Sequence, residues 1–401
     1  MELVFYYDKD LPSPLELKAN YLREKVLYLK NIFQPAQKSQ EWYDMRHGMV
    51  TASDWGTILG ENSYSNVNEV LKKKCGNDAN GFFSNAAMQW GNKYEDVAVL
   101  IYKHRNNVDV WDFGCLQHPL YPFLGASPDG ITPAGVMLEI KCPSSRKITG
   151  IPPSYYWCQV QGQLEVCDLD RCDFLECSIK EYQPDEENGL TSEQIYLQDH
   201  YENDFTLCKY GNEKGVIAEF YKKSEGKFFF VYSPVNIIGE EMELWKKNIV
   251  AENDDKTNVL LSCFYYWYLL EVSCVPIYRN MEWFNVARVK LEEFWEKVEK
   301  YRVLGMEKLL EDIKIEKNKD KGYFTTTDVK TDKKQKKIND FIVFDVDDKP
   351  ASGISEVKKR ASVKTTSKYK PKDKIEVNIE KDVGNEDDFI FQTNTSLFSD
   401  D

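Results

Sequence analysis

The segment Ser127 to Pro143, SPDGITPAGVMLEIKCP, sets two carboxylates and one ammonium at a spacing that suits phosphodiester hydrolysis. Asp129 lies in Pro128-Asp129-Gly130, and Glu139-Ile140-Lys141 follows ten residues later. Val136 to Lys141 is apolar and β-rich, and Thr132-Pro133-Ala134-Gly135 is turn material, so the two parts read as a hairpin with Asp129 near the end of its first arm. Side chains two apart in a strand share a face. Glu139 and Lys141 therefore point the same way, about 6–7 Å apart along the strand at ~3.3 Å per residue. Ile140 faces the core, with its carbonyl beside the site. Hydrolysis requires charge neutralisation on phosphorus, an activated water and a stabilised leaving oxygen. Hard oxygen ligands around one or two Mg²⁺ supply the first and third. A Lys beside such an ion orients or deprotonates the water, because desolvation and neighbouring cations lower its pKa. A turn Asp and a Glu-x-Lys are common surface features on their own. Here the strand is largely apolar and runs at once into Cys142-Pro143, with an acidic segment upstream and a Gln-rich helix downstream.

The neighbouring segments must position these groups, and they carry a resemblance. SPDG…LEIKCP resembles the PD-(D/E)xK nuclease core, specifically the branch containing phage lambda exonuclease and YqaJ-type viral recombinases. The resemblance covers roughly residues 41 to 180. Glu41-Trp42-Tyr43-Asp44-Met45-Arg46-His47-Gly48-Met49-Val50-Thr51-Ala52-Ser53 is similar to the family's W-x(3)-R-x-G-x-(I/V)-T-A-S segment. By resemblance, Arg46, Ser53 and Ser127 bind the 5′ phosphate of a DNA end. An Arg fork suits phosphate, and Ser hydroxyls complete an anion pocket. Gln89-Trp90-Gly91-Asn92-Lys93-Tyr94-Glu95-Asp96 resembles the family's W-G-x-x-(Y/F)-E helix, which assigns Glu95 to the metal together with Asp129, Glu139 and the Ile140 carbonyl. Tyr155-Tyr156-Trp157-Cys158-Gln159-Val160-Gln161-Gly162-Gln163 resembles the Y-x-x-Q-x-Q helix, with Gln159 the catalytic Gln. Gln161 lies about 200° away on a helix of 3.6 residues per turn, whereas Gln163 can share the face of Gln159.

The resemblance implies an α/β, restriction-endonuclease-like core with a mixed central β-sheet flanked by helices. It also implies Mg²⁺-dependent 5′→3′ degradation of double-stranded DNA, with Mn²⁺ able to substitute. The product would be a 3′ single strand for recombination, repair or replication. A viral source, a homotrimer and a single-strand annealing partner follow from the same likeness. Two other readings stand beside it: a structure-specific DNA endonuclease of the same superfamily, and an inactive DNA-binding scaffold. RNA is a third candidate substrate.

The wider sequence fits an enzyme with a substantial core. The 401 residues are 42% hydrophobic and 13% aromatic, with net charge −14. Overall acidity speaks to solubility and steering, not to the lining of one cleft. Residues 1–40 read as a helical lead-in starting at Ser13-Pro14, and 41–315 as the nuclease domain. Phe228 to Tyr232 reads as a strand and Val286 to Ile313 as one long helix. The apolar run Val259 to Val275 is short for a membrane span and contains Glu271, so it reads as a buried strand or helix. No signal peptide is read at the start, and an intracellular, soluble protein is expected, in host cytoplasm or nucleus if viral. From 317 onward there are 18 Lys or Arg and 17 Asp or Glu with few apolar residues, and 316–401 reads as a disordered charged tail. Within it, Gln335, Ile338 and Phe341 resemble a sliding-clamp-binding box, with Ile342 where an aromatic is usual. Cys167, Cys172 and Cys177 are spaced suggestively, but Arg171 to Ile179 reads as an extended strand, so no iron–sulfur cluster is expected.

Overall fold

In the computed structural model, residues 14–76 and 85–322 are described. The first half contains α1 (Pro14–Asn31), α2 (Gln40–His47), β1 (Val50–Thr51), α3 (Ala52–Ile58), α4 (Val67–Cys75), α5 (Ala86–Asn106), β2 (Leu116–Gln117), β3 (Leu124–Ala126), β4 (Gly130–Ile131) and β5 (Val136–Lys141). The second contains α6 (Ser154–Cys167), β6 (Arg171–Glu181), α7 (Ser192–Gln198), β7 (Lys214–Lys222), β8 (Lys227–Tyr232), α8 (Gly239–Asn253), β9 (Val259–Tyr278), α9 (Met281–Leu304) and α10 (Met306–Gly322). The expected α/β architecture with a mixed sheet and flanking helices is present. Six strands run in the order β4-β5-β6-β9-β7-β8, and a small sheet runs β1-β3-β2.

In the larger sheet β5 and β6 are parallel, with α6 between them in sequence, while the other neighbouring pairs are antiparallel. Alternation along β5 sends Leu138 and Ile140 into the cluster with Tyr94, Val97, Ala98 and Ile101 of α5. Met137 points to the opposite face and packs with Trp157, Cys158 and Leu164 of α6. Glu139 and Lys141 share that second face. Burying Leu138 and Ile140 contributes about 1.5–3 kcal/mol each and locks the strand against a one-residue slip, which would bury the wrong set. Cys172 and Cys177 fall on opposite faces of β6, one in each cluster.

Helices α3 and α6 cross at unusually short range because two glycines permit it. A Cβ on Gly56 would stand 2.7 Å from Tyr155 Cβ, and one on Gly162 would stand 2.9 Å from the Trp55 ring.

The apolar run, read as a strand or helix, is the strand β9, which extends to Tyr278. Its first half pairs with β7 and its second with β6, and register shifts let so long a strand bend. The single helix expected over 286–313 is two helices, broken at Gly305 with φ +89°. Helix α10 continues to Gly322, past the compositional boundary at 316. Asp129 stands before the first arm of its hairpin, at the end far from the turn, because β4 begins at Gly130. The lead-in helix is tied to the core through Val26 and Leu29. Gln335, Ile338 and Phe341 lie outside the described residues. No helix among the described residues is long and apolar enough to cross a membrane.

Candidate active site

Eight of the predicted side chains line one cavity of about 190 Å³: Arg46, Ser53, Glu95, Ser127, Asp129, Glu139, Lys141 and Gln159. They come from six separate stretches of chain, and local structure explains each placement.

Arg46 is carried by α2, capped at its start by Ser39, whose hydroxyl accepts from the Trp42 amide at 3.2 Å. Trp42 and Arg46 are one turn apart on the same face, and the guanidinium lies 4.3 Å from the indole centroid. Strand β1 pairs in parallel with β3, matching Thr51 to Gly125. Ser53 and Ser127 are each two residues beyond that pair. The guanidinium donates to both hydroxyls, at 3.0 Å to Ser53 Oγ and 3.3 Å to Ser127 Oγ, and Trp42 Nε1 donates to Ser127 Oγ at 3.2 Å. A Cβ on Gly125 would fall 1.9 Å from Met49 Sδ, so the Met49 side chain would have to shift to admit one.

Asp129 is fixed against β5 at two points. Its amide donates to the Leu138 carbonyl at 3.2 Å, and its Oδ2 accepts from the Ile140 amide at 2.6 Å. Glu139 is fully buried. Lys141 Nζ and Gln159 Nε2 both donate to its Oε1, the latter at 2.6 Å, and Gln163 Nε2 donates to its Oε2 at 2.6 Å. Gln163 also donates to the Ser127 carbonyl at 3.2 Å, which joins the two halves of the cavity. Gln161 turns away, donating to the Tyr278 carbonyl and accepting from the Asn280 amide. Glu95 and Asn92, one turn apart on α5, close the remaining side.

The charges are strongly coupled. Burial pushes the Asp129 carboxyl well above the ordinary range, and the Glu139 and Glu95 charges push it further. Burial likewise raises Glu95, partly opposed by Lys38 and Lys141. For Lys141, burial acts downward, but the Glu139 and Asp129 charges outweigh it and hold the group above its ordinary value. The two carboxylates thus outweigh at Lys141 the downward push that burial alone would give.

Among the described residues, no three acidic, His or Cys side chains converge into a ready-made metal sphere. The physical reason is that Glu139 is engaged by Lys141 and two amides, and Asp129 by a backbone donor. The donor chemistry nevertheless fits a hard divalent cation. Three carboxylates line one cavity, two of them raised by burial and mutual repulsion, and Gln163 Oε1 is buried there without a partner.

Sequence reasoning missed three supporting residues. Trp42 backs the Arg46 fork. Asn92 faces both this cavity and a larger adjoining one. Lys74 is buried on α4 and donates to the Arg46 and Met49 carbonyls at 2.8 and 2.7 Å while pairing with Asp54 at 3.1 Å. Trp42 stood inside a quoted motif without a role. Lys74 is the last of three consecutive lysines, and only the tertiary fold separates it from the other two.

Residues 41–170 match the YqaJ-like viral recombinase domain family. An uncharacterized protein of Acanthamoeba polyphaga mimivirus is 33% identical, over 73% of this chain and 58% of its own length. Protein D345L of African swine fever virus is 29% identical, over 32% of this chain and 46% of its own. The chain therefore spans less than two thirds of either curated relative. The crystal structure of an alkaline exonuclease from Laribacter hongkongensis aligns at 19% identity and TM-score 0.39, over 66% of this chain and 95% of that one. The stretch 41–170 of this chain is thus similar to the YqaJ-like viral recombinase domain.

Proposed function

We propose that this protein is a metal-dependent deoxyribonuclease that degrades duplex DNA from 5′-phosphorylated ends in the 5′→3′ direction, leaving 3′ single strands for recombination or repair. One observation carries the reading. A fork of Arg46, Ser53 and Ser127 shares a single cavity with Glu95, Asp129, Glu139, Lys141 and Gln159. The fork suits a terminal phosphate, since its donors are already bonded to one another and converge on one place. A phosphate there seats the adjoining phosphodiester toward the carboxylates, which gives the enzyme an end to measure from.

Glu95, Asp129, Glu139 and the Ile140 carbonyl would hold the metal, with Mg²⁺ the favoured ion given the all-oxygen donor set. Such an ion supplies charge neutralisation on the phosphoryl group and a more acidic water. Lys141 and Gln159 hold and orient groups around Glu139, and Gln163 keeps that carboxylate aimed at the cavity while tying it to the Ser127 backbone.

The deciding assay uses linear duplexes with 5′-phosphate or 5′-hydroxyl ends, in Mg²⁺, Mn²⁺ or EDTA, with circular duplex as control. Rapid digestion of the phosphorylated linear form alone, abolished by EDTA, is expected. Equal digestion of both ends would remove the fork's assigned role. Cleavage of circles would favour an endonuclease, and activity in EDTA would end the metal reading.

A further inference from the structure

A line of tyrosines leads away from Lys141, and the reading so far gives it no role. Tyr156 lies under the Lys141 ammonium, with its centroid 4.9 Å away, and under the Arg146 guanidinium at 5.9 Å. Its ring is 4.2 Å from that of Tyr155, and Tyr155 meets Tyr64 edge-on at 6.1 Å. Tyr156 and Arg146 line the adjoining cavity of about 480 Å³, which meets the first at Asn92, Glu95 and Lys141.

Tyr64 ends the line at 85% exposure, in the connection between α3 and α4. An aromatic ring held in water gains little from folding, yet this connection is well fixed. The Tyr64 amide donates to Asn62 Oδ1 at 3.0 Å, and Asn62 Nδ2 donates to Thr57 Oγ1 at 3.1 Å. Ser154, at the start of α6, donates to the Glu61 carbonyl at 3.4 Å. Tyr155 in turn is seated on Gly56, where any side chain would collide with it. Two elements are thus tied together in a way that presents an outward ladder of rings, with cationic groups at its inner end.

We propose that Tyr64, Tyr155 and Tyr156 form a stacking platform for the unpaired bases of one DNA strand, continuous with the catalytic cavity. The inference rests on the nuclease reading and names where the strand outside that cavity runs. Rings stack on any base, so such a platform is sequence-tolerant, and because Arg146 and Lys141 at its inner end are already paired with Glu176 and Glu139, the rings carry the contact. A protein surface partner would need a broad apolar face, whereas the ladder is narrow and charged at one end.

The test reads binding, not hydrolysis. The full chain is titrated, in EDTA, onto a labelled single strand of about twelve nucleotides and onto the same strand with abasic sites in place of its bases. Tyr64→Ala is expected to weaken binding to the base-bearing strand by about 5- to 100-fold, with Tyr64→Phe close to wild type. The abasic strand is expected to bind wild type weakly and to be indifferent to Tyr64→Ala. Because Tyr64 is almost wholly exposed, its loss leaves the core intact, and a circular-dichroism melt checks this. Wild-type affinity in Tyr64→Ala, or equal affinity for the abasic strand, overturns the platform. If duplex ends are still degraded in that case, only the platform falls. If the chain binds no DNA in any form, the nuclease reading falls with it.

Discussion

Lys141 and Glu139 show how much a single contact decides at this site. The ammonium is held on the carboxylate it would help to orient, so its removal should strike the chemistry more than the binding. Lys141→Ala is expected to lower hydrolysis by roughly 10²–10⁴-fold, with duplex-end affinity in EDTA changed only a few-fold. Single-turnover cleavage beside equilibrium binding measures both, and cleavage within threefold of wild type would remove Lys141 from the mechanism. Glu139 and Lys141 were legible because strand alternation acts locally: knowing that β5 exists places all of β5, whereas Asp129, just outside β4, is placed by its bonds to Leu138 and Ile140. Helical spacing likewise separates Gln159 and Gln163 from Gln161. The balance at Lys141 between burial and two carboxylates was not legible, because that competition needs distances. Lys74 was invisible for a related reason, since its partners lie 25 and 28 residues away in sequence.

At the level of elements, the site depends on how closely α3 approaches α6, since these helices carry Ser53 and Gln159 respectively. Gly56→Ala puts a methyl 2.7 Å from Tyr155 Cβ and 2.9 Å from its carbonyl oxygen, so backbone must move. A stability loss of about 1–3 kcal/mol is expected, with a larger loss of cleavage than of fold as fork and carboxylates move apart. Urea unfolding and the 5′-phosphate preference together check it; unchanged values for both would mean that the contact is slack. The strands and their faces follow from apolar alternation. The break at Gly305 was hidden because the apolar spacing runs on across it, and only the positive φ stops the helix. The reach of β9 was hidden too, because a continuous apolar run does not say which of two neighbours each half will meet.

For the molecule as a whole, charge and topology set the terms. Outside the basic-and-acidic tail, residues 1–316 carry 34 Lys or Arg and 49 Asp or Glu. On the proposed function, DNA would therefore be met by a few placed cations rather than by a positive field. The logarithm of duplex affinity is expected to fall with the logarithm of salt at a slope no steeper than about −3, whereas a slope near −6 would point to an extended basic track. Topology has a further consequence, and it concerns time rather than equilibrium. Strand β9 borders β6 on one side and β7 on the other, yet it is made about a hundred residues after the carboxylate strand β5. Until the ribosome delivers it, β6 has an open edge carrying Cys172, Phe174 and Leu175, and β7 has another. An unpaired edge of that kind invites a neighbouring chain to complete it. The nascent protein thus passes through an interval in which its β4–β5 hairpin can already be formed but its sheet is unsealed, and synthesis at high local concentration is when it is most exposed to aggregation.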